Sequence, residues 1–93
     1  MNLQFEIIEK ENIPQLVFPN EEVLQDSVAI NERFSDLNRA LSLGNLEHSK
    51  IKIYFEDDQS RKVVETTVWG LTDLRVILKQ GNVIPINRIH KSV

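Results

Sequence analysis

The chain has 93 residues, 41% of them hydrophobic and 27% charged, a formal net charge of −3 and no cysteine. A chain of this size holds one domain with a single modest core, and the absence of thiols excludes a disulfide framework and any Cys-ligated zinc site. The opening MNLQFEIIEKEN has neither the basic start nor the apolar run of a secretory signal, and no stretch approaches the ~18 apolar residues of a membrane span, so the sequence reads as a cytoplasmic protein without a membrane role.

The alternation Leu3, Phe5, Ile7 in LQFEIIEK predicts an N-terminal strand with one buried face. Pro14 in ENIP biases Ile13 away from helix, and QLVFP, closed by Pro19, reads as an edge strand or an extended crossing segment. Two readings stand between Asn20 and Leu43. Val23, Ile30 and Leu37 are seven apart, as are Ser27, Phe34 and Leu41, which suits one continuous helix capped by Asn20. Asp26, Ser27 and Asn31, however, are residues that favour caps and turns. They favour a divided segment whose firm helix covers only 35–43, with Ser35 as N-cap, Leu37, Ala40 and Leu41 as apolar stripe, and Gly44 as terminator.

The remainder reads as β. KIKIYFE places Ile51, Ile53 and Phe55 on one face and Lys50, Lys52, Tyr54 and Glu56 on the other; EDDQS follows as a solvated turn. RKVVETTVWG is a second strand, with Val64, Thr66 and Val68 on one face and Val63, Glu65, Thr67 and Trp69 opposite. LRVILKQ aligns Leu74, Val76 and Leu78 against Arg75, Ile77 and Lys79, and QGN reads as a tight hairpin using positive φ at Gly and Asn. In the last stretch, GNVIPINRIH, the apolar spacing changes from two (Ile84, Ile86) to three (Ile86, Ile89). One helical-type turn at Asn87-Arg88 accounts for that slip. The last strand then leaves its neighbour and pairs with the first strand of the β region, with Arg88 at the rim and its head in water.

These residues also carry a resemblance. VIPINRI is similar to the closing corner of small SH3-like barrels, some in RNA-processing proteins, that end in Ile-Pro-x-His-Arg-Ile. Ile84, Pro85, Arg88 and Ile89 match, and Asn87 replaces the histidine. The span from LSLGNLEHSKIKIYFED to VIPINRI resembles a group of small uncharacterised bacterial proteins. The resemblance implies a fold and no activity.

The expected architecture is therefore α+β: an N-terminal strand and helix (residues 1–49) packed on a small five-stranded SH3-like antiparallel β-barrel (50–93). Its core would comprise Ile51, Ile53, Phe55, Val64, Val68, Val76, Leu78, Ile84, Ile86 and Ile89, with Leu37 and Leu41 plugging one mouth.

Nothing in the chain anchors catalysis. The two histidines, His48 and His90, have no carboxylates at ligand spacing, EDDQS lacks the oxygen pattern of a calcium loop, and no serine sits in a nucleophile motif. No cofactor, metal or enzymatic role is expected. Charge is uneven: residues 1–47 carry three bases against nine acids, residues 48–93 eight against five. Two binding readings follow. In the favoured one, Val63, Trp69 and Ile77 form an aromatic face for a protein partner or for self-association. In the alternative, Lys50, Lys52, Tyr54, Arg61, Lys62 and Arg88 bind RNA or single-stranded DNA.

Overall fold

A computed structural model describes residues 4–93, which fold as one long helix and two sheets in an α+β arrangement. β1 (Glu6–Ile7) lies parallel to β3 (Arg61–Thr66), with Ile7 opposite Val63. The expected burial of this segment fails: Ile7 stands 84% exposed, while Ile8 packs against the core. Leu3 lies outside the described residues. ENIP is not extended either, because Lys10–Gln15 form a 3-10 turn that includes Pro14 and buries Ile13. Its bonds run from Asn12 N to Glu9 O and from Leu16 N to Ile13 O, so the missing proline N–H costs nothing there.

The helix α1 runs unbroken from Ser27 to Glu47, which overturns the divided reading and removes Ser35 and Asn20 as caps. The polar pair Asp26-Ser27 marks its start: Asp26 Oδ1 accepts the Val28 N–H at 3.1 Å. It ends at His48, a left-handed residue with φ 55°, and not at Gly44. Gly44 is needed inside the helix because a Cβ there would run into the Val68 carbonyl oxygen. The buried stripe is Arg33, Leu37, Ala40 and Gly44, spaced by fours and threes as helix geometry demands. Phe34, assigned to the apolar repeat by its spacing, is 55% exposed.

After α1 the alternating runs form β2 (Ile51–Glu56), β3, β4 (Val68–Leu71), β5 (Arg75–Leu78), β6 (Val83–Pro85) and β7 (Ile89–Ser92). One sheet has the order β1-β3-β2-β7 and the other β4-β5-β6. The run expected as a single second strand divides at Thr67, whose carbonyl accepts Lys79 N; β3 belongs to the first sheet and β4 to the second. The expected α+β class holds, but in place of one five-stranded antiparallel barrel the described residues form two sheets, a mixed one of four strands and an antiparallel one of three, with no closed barrel among them. Their inner faces enclose Ile53, Phe55, Val64, Val68, Val76, Leu78, Ile84 and Ile89, each almost wholly buried, with Leu37 of α1 against them. Each such side chain contributes about 1.5–3 kcal/mol by leaving water.

The slip in the last stretch has the anticipated cause. Ile86–Arg88 make one 3-10 turn between β6 and β7, so Ile84, Ile86 and Ile89 all point inward despite unequal spacing. β7 then pairs antiparallel with β2, Tyr54 opposite Lys91 and Ile53 opposite Ser92. The β5–β6 hairpin differs in detail: Gln80 (φ 70°) and Gly81 (φ 87°) take the positive φ values, and Asn82 does not.

Candidate functional site: the outer face of the three-stranded sheet

β4, β5 and β6 bury one face and leave the other in water. Period-two alternation on β5 sends Val76 and Leu78 inward, and Arg75, Ile77 and the following Lys79 outward. Ile77 is opposite Gly70 on one side and Val83 on the other. A Cβ on Gly70 would meet Ile77 Cδ1 at 3.2 Å, so the glycine leaves the room that lets Ile77 lie over the strand. The β4–β5 register shifts between Val68 and Gly70, and Trp69 occupies the shift with 51% of its surface in water. Val83 is 39% exposed, and Arg75 faces Pro85 across the β5–β6 pair. An apolar stripe thus crosses all three strands on a rigid support.

The predicted trio of Val63, Trp69 and Ile77 is only two-thirds together. Val63 and Trp69 share strand parity, but the bend at Thr67 carries them to different sheets. Val63 lies beneath β1, 9% exposed, and lines a shallow groove of about 440 Å³ with Phe5, Ile7, Lys52, Tyr54 and Glu65.

The alternative basic set is also divided. Lys50, Lys52 and Arg61 are exposed, but Lys52 is in register with Glu65, and Arg61 Nε is 3.8 Å from Glu56. The Tyr54 ring is occupied: Phe5 meets it edge-on at 5.1 Å between centroids, and Lys91 Nζ sits 5.0 Å above it. Lys62 is buried, donating to Asp57 Oδ1 (3.0 Å) and Ser60 Oγ (2.6 Å). Arg88 is buried as well, not at the rim. Its Nε donates to Glu56 O (3.1 Å) and its Nη atoms to Glu21 O (2.7 Å) and Asp57 O (3.4 Å). An arginine stands in the corner because three carbonyls there need a donor. Both cations are corrected from surface contacts to internal fasteners.

EDDQS is likewise more than a solvated turn. Asp57 is buried, and Oδ1 accepts the N–H groups of Gln59 (3.0 Å) and Ser60 (2.9 Å) beside the Lys62 bond. Burial by itself would raise the Asp57 carboxyl, but these donors outweigh it and hold the group below the ordinary aspartate value.

Sequence reasoning missed one feature altogether. Arg33, on the buried stripe of α1, forms a bidentate pair with Glu22 (2.6 and 2.7 Å) and donates to Ile89 O (3.0 Å). The pair straps the crossing segment to helix and sheet, and the Arg33 guanidinium pulls the Glu22 carboxyl below its usual range. A cleft of about 470 Å³ opens beside it between Phe18–Asn20, Asp73–Arg75 and Pro85–Asn87. The readable signal was a charge standing four residues before Leu37, on what the structure shows to be the apolar stripe.

Among the described residues, no cluster of three or more His, Cys, Asp or Glu is placed to hold a metal, and no helix is long and apolar enough to cross a membrane. His48 is exposed at the helix end, and His90 pairs with Glu56 at 3.0 Å. Comparison with protein-family models, curated proteins and solved structures returns no match.

Proposed function

We propose that the protein is a small, cytoplasmic, non-enzymatic binding module that docks a protein partner on the outer face of β4-β5-β6. We read the two sheets as an open SH3-like barrel, with the 3-10 corner joining its last two strands. The observation that carries the functional reading is the half-exposed Trp69. A large aromatic held half in water on a strand, in line with Ile77 and then Val83 on the two strands beyond, has the chemistry of an interface anchor. Two cations of the competing nucleic-acid reading, Lys62 and Arg88, are spent inside the fold.

The test compares proteins retained from an extract of cells that make this chain on immobilised wild type, Trp69→Ser and Tyr54→Ser. A set retained by wild type and Tyr54→Ser but lost on Trp69→Ser, with all three equally folded, supports the reading. Retention of the same set on Trp69→Ser overturns it.

A further inference from the structure

The charges on the strands of the Trp69 face are one-sided, with Asp73 in the β4–β5 turn as the acid that borders them. No residue of β4, β5 or β6 is acidic, in a chain whose net charge is −3. Along the central strand and just past it the outward positions read Arg75, Ile77 and then Lys79, both cations exposed and neither in an ion pair among the described residues. The apolar stripe therefore lies between two uncommitted positive charges, whereas Lys62 and Arg88 elsewhere are neutralised or bonded to carbonyls. Neighbouring strands stand about 4.8 Å apart, which puts the first and third anchors of the stripe about 10 Å apart. Two turns of an α-helix rise about 10.8 Å.

We infer that the partner segment is an acidic amphipathic helix. Apolar side chains on successive turns sit on Trp69, Ile77 and Val83, and flanking carboxylates face Arg75 and Lys79. This inference rests on the docking role proposed above. It adds the partner's chemistry, which surface complementarity selects: a basic segment would meet like charge on both sides of the stripe and is excluded from it.

Two blocked peptides test it, each with leucine at helical i, i+3, i+4 and i+7 positions. One carries glutamate at the remaining positions and the other lysine. Each is titrated into the intact chain while Trp69 emission and the backbone amide shifts of β4–β6 are followed. At about 0.01 M ionic strength, where charges act over about 30 Å, the glutamate peptide is expected to bind at least about tenfold tighter than the lysine peptide. At about 1 M salt, where the range falls to about 3 Å, the ratio should collapse. In the Arg75→Glu/Lys79→Glu variant it should invert. These positions are exposed, so the variant keeps its fold.

Equal affinity of the two peptides at low salt overturns the acidic-partner inference and leaves the docking face standing. No change at Trp69 or in the β4–β6 amides with either peptide overturns both. A concentration-dependent dimer that Trp69→Ser abolishes makes a second copy of the chain the occupant, and overturns the inference in that direction.

Discussion

Replacing Arg88 with methionine keeps the apolar stem of the side chain and removes its donors. Glu56 O, Glu21 O and Asp57 O lose the buried guanidinium that serves them, in a corner where the first two bonds are part-buried and the third is buried. A net hydrogen bond to a charged group is worth about 1.5–3 kcal/mol, and a buried acceptor left without a donor costs about 1–3 kcal/mol. The Asp57 contact is long at 3.4 Å, so two good bonds set the scale. A loss of about 3–5 kcal/mol is expected, against a typical total of about 5–15 kcal/mol for a domain. The variant should melt about 12–40 °C lower, taking about 4–8 °C per kcal/mol for a domain of this size. Arg88→Lys restores the charge but not the planar fork, and should recover less than half of the loss. Urea titration followed by far-UV circular dichroism measures both. A loss below about 1 kcal/mol for Arg88→Met, with an unchanged urea slope, would show that the corner is not held by these carbonyl bonds.

Other outcomes follow from the same contacts. Gly44→Ala should destabilise by about 1–3 kcal/mol despite alanine's better helix propensity, since its methyl group meets the Val68 carbonyl; chemical denaturation gives the sign. Gln80→Gly should stabilise by about 0.5–1 kcal/mol, because glycine relieves the left-handed φ of 70°, and a lower midpoint would refute the strain. Glu22 and Asp57 both titrate below their unfolded values in the native state. The unfolded chain therefore takes up protons first as pH falls, and stability present above about pH 4.3 should decline through the acid range below it. Glu22→Gln should flatten part of that decline in a series of urea midpoints. Trp69→Ser, at a half-exposed site, should leave stability within about 0.5 kcal/mol of wild type by calorimetry.

The β half of the fold was legible because its cue is local. Ile51, Ile53 and Phe55 alternate without a break, and the change of spacing at Ile86–Ile89 has few physical causes besides a single helical turn. The helix was harder to read. Asp26 and Ser27 read as interior interruptions of the heptad spacing yet begin the helix, and the buried stripe starts at Arg33, which any apolar pattern skips. Its partner Glu22 is eleven residues away, beyond any helix-period window. The candidate face was half legible. Strand parity put Trp69 and Ile77 outward, but Val63 was grouped with them because parity does not register that a strand crosses from one sheet to another at Thr67. The charges of Lys62 and Arg88 were visible in the sequence; their burial depends on carbonyls and a carboxylate that only the folded turn brings near.

The functional reading depends on Trp69 standing in water when the chain is alone. Because it is the one tryptophan, acrylamide quenching of the monomer's fluorescence reports on that directly. The expected result is a red-shifted emission quenched at a large fraction of the rate for free indole. A blue-shifted emission that resists the quencher would mean the side chain is already covered, and that no anchor is presented for a partner.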